Sequence, residues 1–174
     1  MLTAINRQAF ISYDDESLAS ACFKPLITAY KEIESRGGDF SAELYPLLTS
    51  GQKALFVFRT HYLHAIKSEA DYYWWTAYYM AQPLRWKGLL QSLKYFDDSE
   101  MLALLERTEQ SLRQRNHPRN LANFDVSLQD METDPKLHVE MSNFYHFYLE
   151  ASHSTWNVIT RYIRLHPEQF VHFE

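Results

Sequence analysis

Apolar residues recur along most of this chain at the three-and-four spacing of a helix, and polar clusters, glycines and prolines divide that pattern into segments. Asp14, Asp15 and Glu16 lead into Leu18, Ala21, Cys22, Leu26, Ala29, Tyr30 and Ile33, which keep one face until Gly37 and Gly38 end the helix. Pro25 falls inside this stretch and lacks an N–H, so either a kink or two shorter helices meeting there is expected. Ser41, Glu43 and Leu44 ahead of Pro46 predict at most a short helical turn.

Thr49 and Gln52 have the spacing of a capping box. Behind them Ala54, Leu55, Phe58, Tyr62, Ala65 and Ile66 share a face, while Phe56, Val57 and Leu63 make other sides apolar, as in a central helix. From Glu69 to Met80 the chain is almost continuously aromatic, predicting a second helix or a broken continuation that stops before Pro83. Leu84, Leu89, Leu90, Leu93 and Phe96 form the next stripe. Asp97, Asp98 and Ser99 supply a turn and cap, and Met101, Leu102, Leu104, Leu105 and Leu112 continue as a helix ending near Asn116 and Pro118. These two stripes read as an antiparallel pair.

Residues 116–134 have the weakest periodicity, with Leu121, Phe124, Val126, Leu128 and Met131 as anchors, and are expected to form a long surface loop. Asp134 and Pro135 make a good helix start. Leu137, Met141, Phe144, Tyr148, Leu149, Ser152, Trp156, Ile159 and Ile163 then hold one face until His166 and Pro167. No convincing strand alternation, fixed-period repeat or low-complexity linker interrupts the chain. The expectation is a compact all-α bundle of five to seven helices, a single domain over residues 1–174. Residues 1–13 form an N-terminal extension, and the helices starting near Thr49 and Asp134 form the centre.

Composition adds two things. Aromatic residues make up 16% of the chain, with 12 Tyr, 11 Phe and 4 Trp, so the core should have a polar margin for their hydroxyl and indole groups. The formal charge is −5 with a pI near 5.9, which gives no global attraction to nucleic acid or an anionic membrane. Cys22 is the only cysteine, so an internal disulfide and a thiolate zinc cluster are both excluded, and it reads as a small apolar core residue. With no signal-peptide core and no apolar run of membrane length, a cytoplasmic protein is expected.

Eight histidines raise a metal hypothesis. His146, Glu150 and His153 stand at helical spacing on the last helix, and His61 and His64 on an earlier one, a way in which helical bundles build metal sites. At about 100° per residue, however, the first three point away from the apolar stripe of their helix. His61 lies nearer a buried face, where a hydrogen-bonded core histidine is the plainer reading. Glu69 and Asp71 could add oxygen ligands. No metalloprotease, phosphate-loop, dinucleotide or nucleophile-elbow motif is present. No cofactor is expected.

The most distinctive segment is Tyr72, Tyr73, Trp74, Trp75, Tyr78 and Tyr79, followed by Trp86 flanked by Arg85 and Lys87. These rings cannot share one helical face. They read either as an element wedged between neighbouring helices or as a hot-spot surface for a protein partner, with Arg85 and Lys87 framing an acidic ligand. Acidic clusters at residues 14–16, 97–100 and 125–134 fall near helix starts, where capping explains most of them.

Four stretches are similar to a bacterial family of small helical domains that includes a DNA-mimic protein: LTSGQKALFVFRTHYLHAIKSEADYYWW, LLQSLKYFDDSEMLALLERT, a loop beginning NFD, and NVITRYIRLHPEQF. They fall between Leu47 and Phe170. The family has Asn-Gly-Gly before its aromatics, where this chain has Ser68, Glu69, Ala70 and Asp71. The resemblance implies an all-helical, non-enzymatic domain that binds a regulatory protein, and it carries over no functional residues. The leading expectation is therefore a regulatory or protein-interaction domain. The alternative is a metal-dependent helical-bundle enzyme using His61 or His64 with His146 or His153.

Overall fold

The computed structural model describes residues 1–174. It is all-helical but for one short strand pair, with nine helices rather than the five to seven expected. The long ones are α2 (Asp15–Ser35), α4 (Ser50–Ala65), α5 (Glu69–Met80), α6 (Pro83–Phe96), α7 (Ser99–Gln114) and α9 (Pro135–Leu165). The others are α1 (Arg7–Ser12), α3 (Phe40–Glu43) and α8 (Asp130–Thr133), each under two turns and so too short to show a helical period in sequence. Strands β1 (Thr3–Ile5) and β2 (Val171–Phe173) pair in parallel, Thr3 opposite Val171. The first thirteen residues, expected as an extension, thus carry β1 and α1.

The chain divides into two compact units, 1–56 with 156–174, and 57–155. In the first, Phe40 stacks on Phe56 at 4.8 Å, and Tyr30 and Phe23 pack their rings around them. α2 runs uninterrupted through Pro25. It ends at Gly37, whose φ of 71° is the left-handed turn that lets the Gly38 N–H return to the Ile33 carbonyl. The predicted capping box forms: Thr49 and Gln52 exchange backbone-to-side-chain bonds, each of 3.1 Å.

In the second unit, α6 packs against both α5 and α7. α5 begins as a separate helix because the Ser68 hydroxyl accepts from the Asp71 N–H. The turn between α6 and α7 is made by Asp97 in the left-handed region at φ 63° and by Asp98, whose carboxylate caps Met101 at 3.0 Å. Asp134 starts α9 by accepting from the Lys136 and Leu137 N–H groups. Residues 116–134 are more structured than a plain loop: a 3-10 turn at Leu121–Asn123 is followed by α8, and Val126 and Met131 are buried. Tyr72 and Tyr148 meet in the core at 4.9 Å between centroids, and the Tyr72 hydroxyl reaches Thr108 on α7.

Candidate functional site

All of the aromatic segment lies in the unit of residues 57–155, where its rings have distinct uses. Tyr72, Tyr73 and Tyr79 are buried, and Trp74, Trp75 and Tyr78 are half-buried. Trp74 stacks on Tyr78 at 4.9 Å, and Phe124 packs edge-on against both. The Trp74 indole N–H donates to the Val126 carbonyl at 3.1 Å. Beside Trp74 on α5, the Tyr73 hydroxyl donates to the Asp130 carboxylate and lies 2.8 Å from His117 Nε2. Three α5 side chains therefore strap down the segment between α7 and α9, and burial with the adjoining Asp130 charge pushes the Tyr73 hydroxyl pKa well up.

The histidines are dispersed. His61 is fully buried, edge-on to Tyr79, with Thr76 and Tyr148 hydroxyls at 3.5 and 3.4 Å. Burial lowers its pKa to about 3, so the ring is neutral. His64 stacks on Trp75 at 3.9 Å, while His146, Glu150 and His153 are exposed on α9. Glu69 bonds His138 and Ser142 from α9. No group of three or more His, Cys, Asp or Glu side chains converges where it could hold a metal ion.

Trp86 and Lys87 instead line an open cleft of about 450 Å³ along α6 and α7, within the size range of small-ligand sites. Its apolar part is Met80 at the end of α5, then Pro83, Trp86 and Leu90 of α6. Trp86 is only 6% exposed, and its indole N–H is enclosed without an acceptor. The polar part is a stripe of Lys87, Gln91 and Lys94 on α6, faced by Glu109 and Arg113 of α7 and by Arg119. Helical geometry explains the stripe, since residues four and three apart lie one above another. Arg85 turns away, its guanidinium 5.4 Å from the centre of the Tyr79 ring.

The electrostatics of this cleft oppose those of the whole chain. Four cationic side chains and one carboxylate line it, in a protein of net charge −5. Glu109 pairs with Arg113, four residues on, and with Arg119 at 3.5 Å. Lys87 and Lys94 make no ion pair. Sequence reasoning singled out Trp86 and Lys87 but missed Gln91, Lys94, Glu109, Arg113 and Arg119. The spacing of 87, 91 and 94 was a usable signal; Arg119, beyond Pro118 and outside any helix, gave none.

No family model, curated protein or solved structure matches the chain. No helix is long and apolar enough to cross a membrane.

Proposed function

We propose that the protein is a non-enzymatic, cytoplasmic interaction domain that binds an acidic segment of a protein partner along the cleft of α6 and α7. One observation carries the reading: a locally cationic, apolar-floored cleft in a chain whose overall charge is negative. Such a local field attracts carboxylates and speeds their encounter, while the net charge repels polyanions that approach elsewhere. Pro83 and Leu90, the accessible part of the apolar lining beside the buried Trp86 and Met80, offer the apolar contact that turns attraction into a bound complex. The reading keeps the interaction role suggested by the helical-family resemblance, but moves the surface from Tyr72–Tyr79 to Trp86 and its cationic neighbours.

The test is charge reversal at two exposed positions. Poly-glutamate serves as the probe, because the partner is defined only by its charge. The chain should bind it at low ionic strength, with affinity falling as salt rises. Lys87→Glu combined with Lys94→Glu should weaken binding by tenfold or more, with the helical circular dichroism unchanged. Equal affinity in the double variant would sink the proposal.

A further inference from the structure

The cleft already contains a carboxylate. Glu109 has a side chain only 13% exposed, yet guanidinium groups from two segments converge on its Oε1: Arg113 from the same helix, and Arg119 from beyond it at 3.5 Å. The pair with Arg113 is the ordinary contact of residues four apart on a helix. Arg119 has no such reason to be there: its segment has to lie back along α7 to bring the side chain in. Two guanidiniums on one carboxylate are also how a protein grips an acidic ligand. Across the cleft the situation is reversed, since Lys87 and Lys94 are exposed and have no carboxylate partner. Seven residues separate them on α6, about 10 Å along the helix axis.

We infer that Glu109 is a built-in stand-in for the ligand, and that the cleft takes an acidic peptide segment one of whose carboxylates displaces Glu109 from Arg113 and Arg119. Two further carboxylates, about 10 Å apart, meet Lys87 and Lys94, with an apolar side chain between the rows on the half-buried Leu90. The inference rests on the interaction reading above. In the free protein the two half-exposed arginines share one carboxylate and the lysines have none, so a singly charged ligand has to compete with Glu109 for the arginines, whereas a segment with several carboxylates also gains the lysines. Glu109 thereby selects for segments dense in carboxylates.

The experiment titrates the isotopically labelled full chain with four probes, following backbone amides and the Trp86 indole N–H by NMR. The probes are a peptide with three glutamates placed around a leucine, its glutamine counterpart, a peptide with a single glutamate, and inorganic phosphate. The triple-glutamate peptide should saturate with shifts at Trp86, Lys94 and Arg113, and the other three should not. Glu109→Gln should tighten binding of the triple-glutamate peptide three- to tenfold and let the single-glutamate peptide bind. Glu106→Gln makes the same charge change on the exposed face of α7 and should leave affinity within about twofold. Weaker or unchanged binding in Glu109→Gln would overturn the inference, because Glu109 would then only position the arginines. So would an equal gain in Glu106→Gln, or phosphate saturating the same signals. If the lysine variants still weaken binding in those cases, the interaction reading survives alone; if no acidic probe binds any variant, both fall.

Discussion

His61 is an imidazole with no solvent exposure and only long contacts to two hydroxyls, so its protonation state is set by burial. In the folded chain its pKa is depressed to about 3, whereas the unfolded chain takes up the proton near 6.5. The unfolded state therefore binds more protons between these values. The contribution of His61 to stability is full above pH 6.5 and is lost as pH falls, by about 2 kcal/mol between pH 7 and pH 5. His64 and His117, also lowered by burial, act in the same direction. Urea midpoints at the two pH values measure the loss, and the His61 ring signals should stay at their neutral positions down to pH 4. A ring that titrates near pH 6 in the folded protein contradicts this account. Residue types at this scale were legible, as with an aromatic segment needing hydroxyl and indole partners. The partners were not: Tyr73 reaches residues 44 and 57 positions away, and Trp74 one 52 away, separations that leave no local pattern.

The limits of long helices were read nearly correctly where cap and stop signals were clear, as at Asp134 and His166 for α9, whereas α5 was left open between a separate helix and a broken continuation because its rings fall on several faces. Pro25 shows what a one-dimensional reading of an element omits. A proline leaves the carbonyl four residues earlier without its helical donor, and the expected remedy was a bend or break. In α2 the remedy comes from outside the helix: the Thr3 hydroxyl of β1 donates to the Ala21 carbonyl at 3.2 Å. Thr3→Val should then cost about 1 kcal/mol by leaving that carbonyl unpaired. In a Pro25→Ala background, which restores the N–H at position 25, the same change should cost about half as much or less. A double-mutant cycle by urea denaturation checks the coupling, and additive effects would show that Thr3 and Pro25 do not share the carbonyl.

For the molecule as a whole, net charge and composition described the surface only on average and concealed a cationic cleft built from α6, α7 and a residue beyond Pro118. Strand pairing was equally invisible, since three-residue strands at residues 3–5 and 171–173 have no periodicity to detect. The same closure depends on Gly51. A Cβ there would run into the buried Phe170 ring, while the Gly51 N–H donates to the Gln169 side chain at 2.9 Å. Gly51→Ala should destabilise the unit of residues 1–56 and 156–174 by about 1–3 kcal/mol through overpacking, although alanine favours the helix. Hydrogen exchange would report faster opening at Leu18, Leu26 and Ile163, and unchanged protection there would contradict the role given to Gly51. Parallel pairing of β1 with β2 also sets an order of events during synthesis. Residues 57–155 leave the ribosome as one uninterrupted stretch and can fold while the chain is still growing. The other unit must hold its first 56 residues open until residue 173 has emerged, and it then closes a loop of some 165 residues, whose entropic cost grows only with the logarithm of its length. During that wait Ile5 lacks its strand partner and Phe10 lacks the Phe173 ring that packs edge-on against it, making the nascent chain, rather than the finished protein, the form most open to chaperone capture.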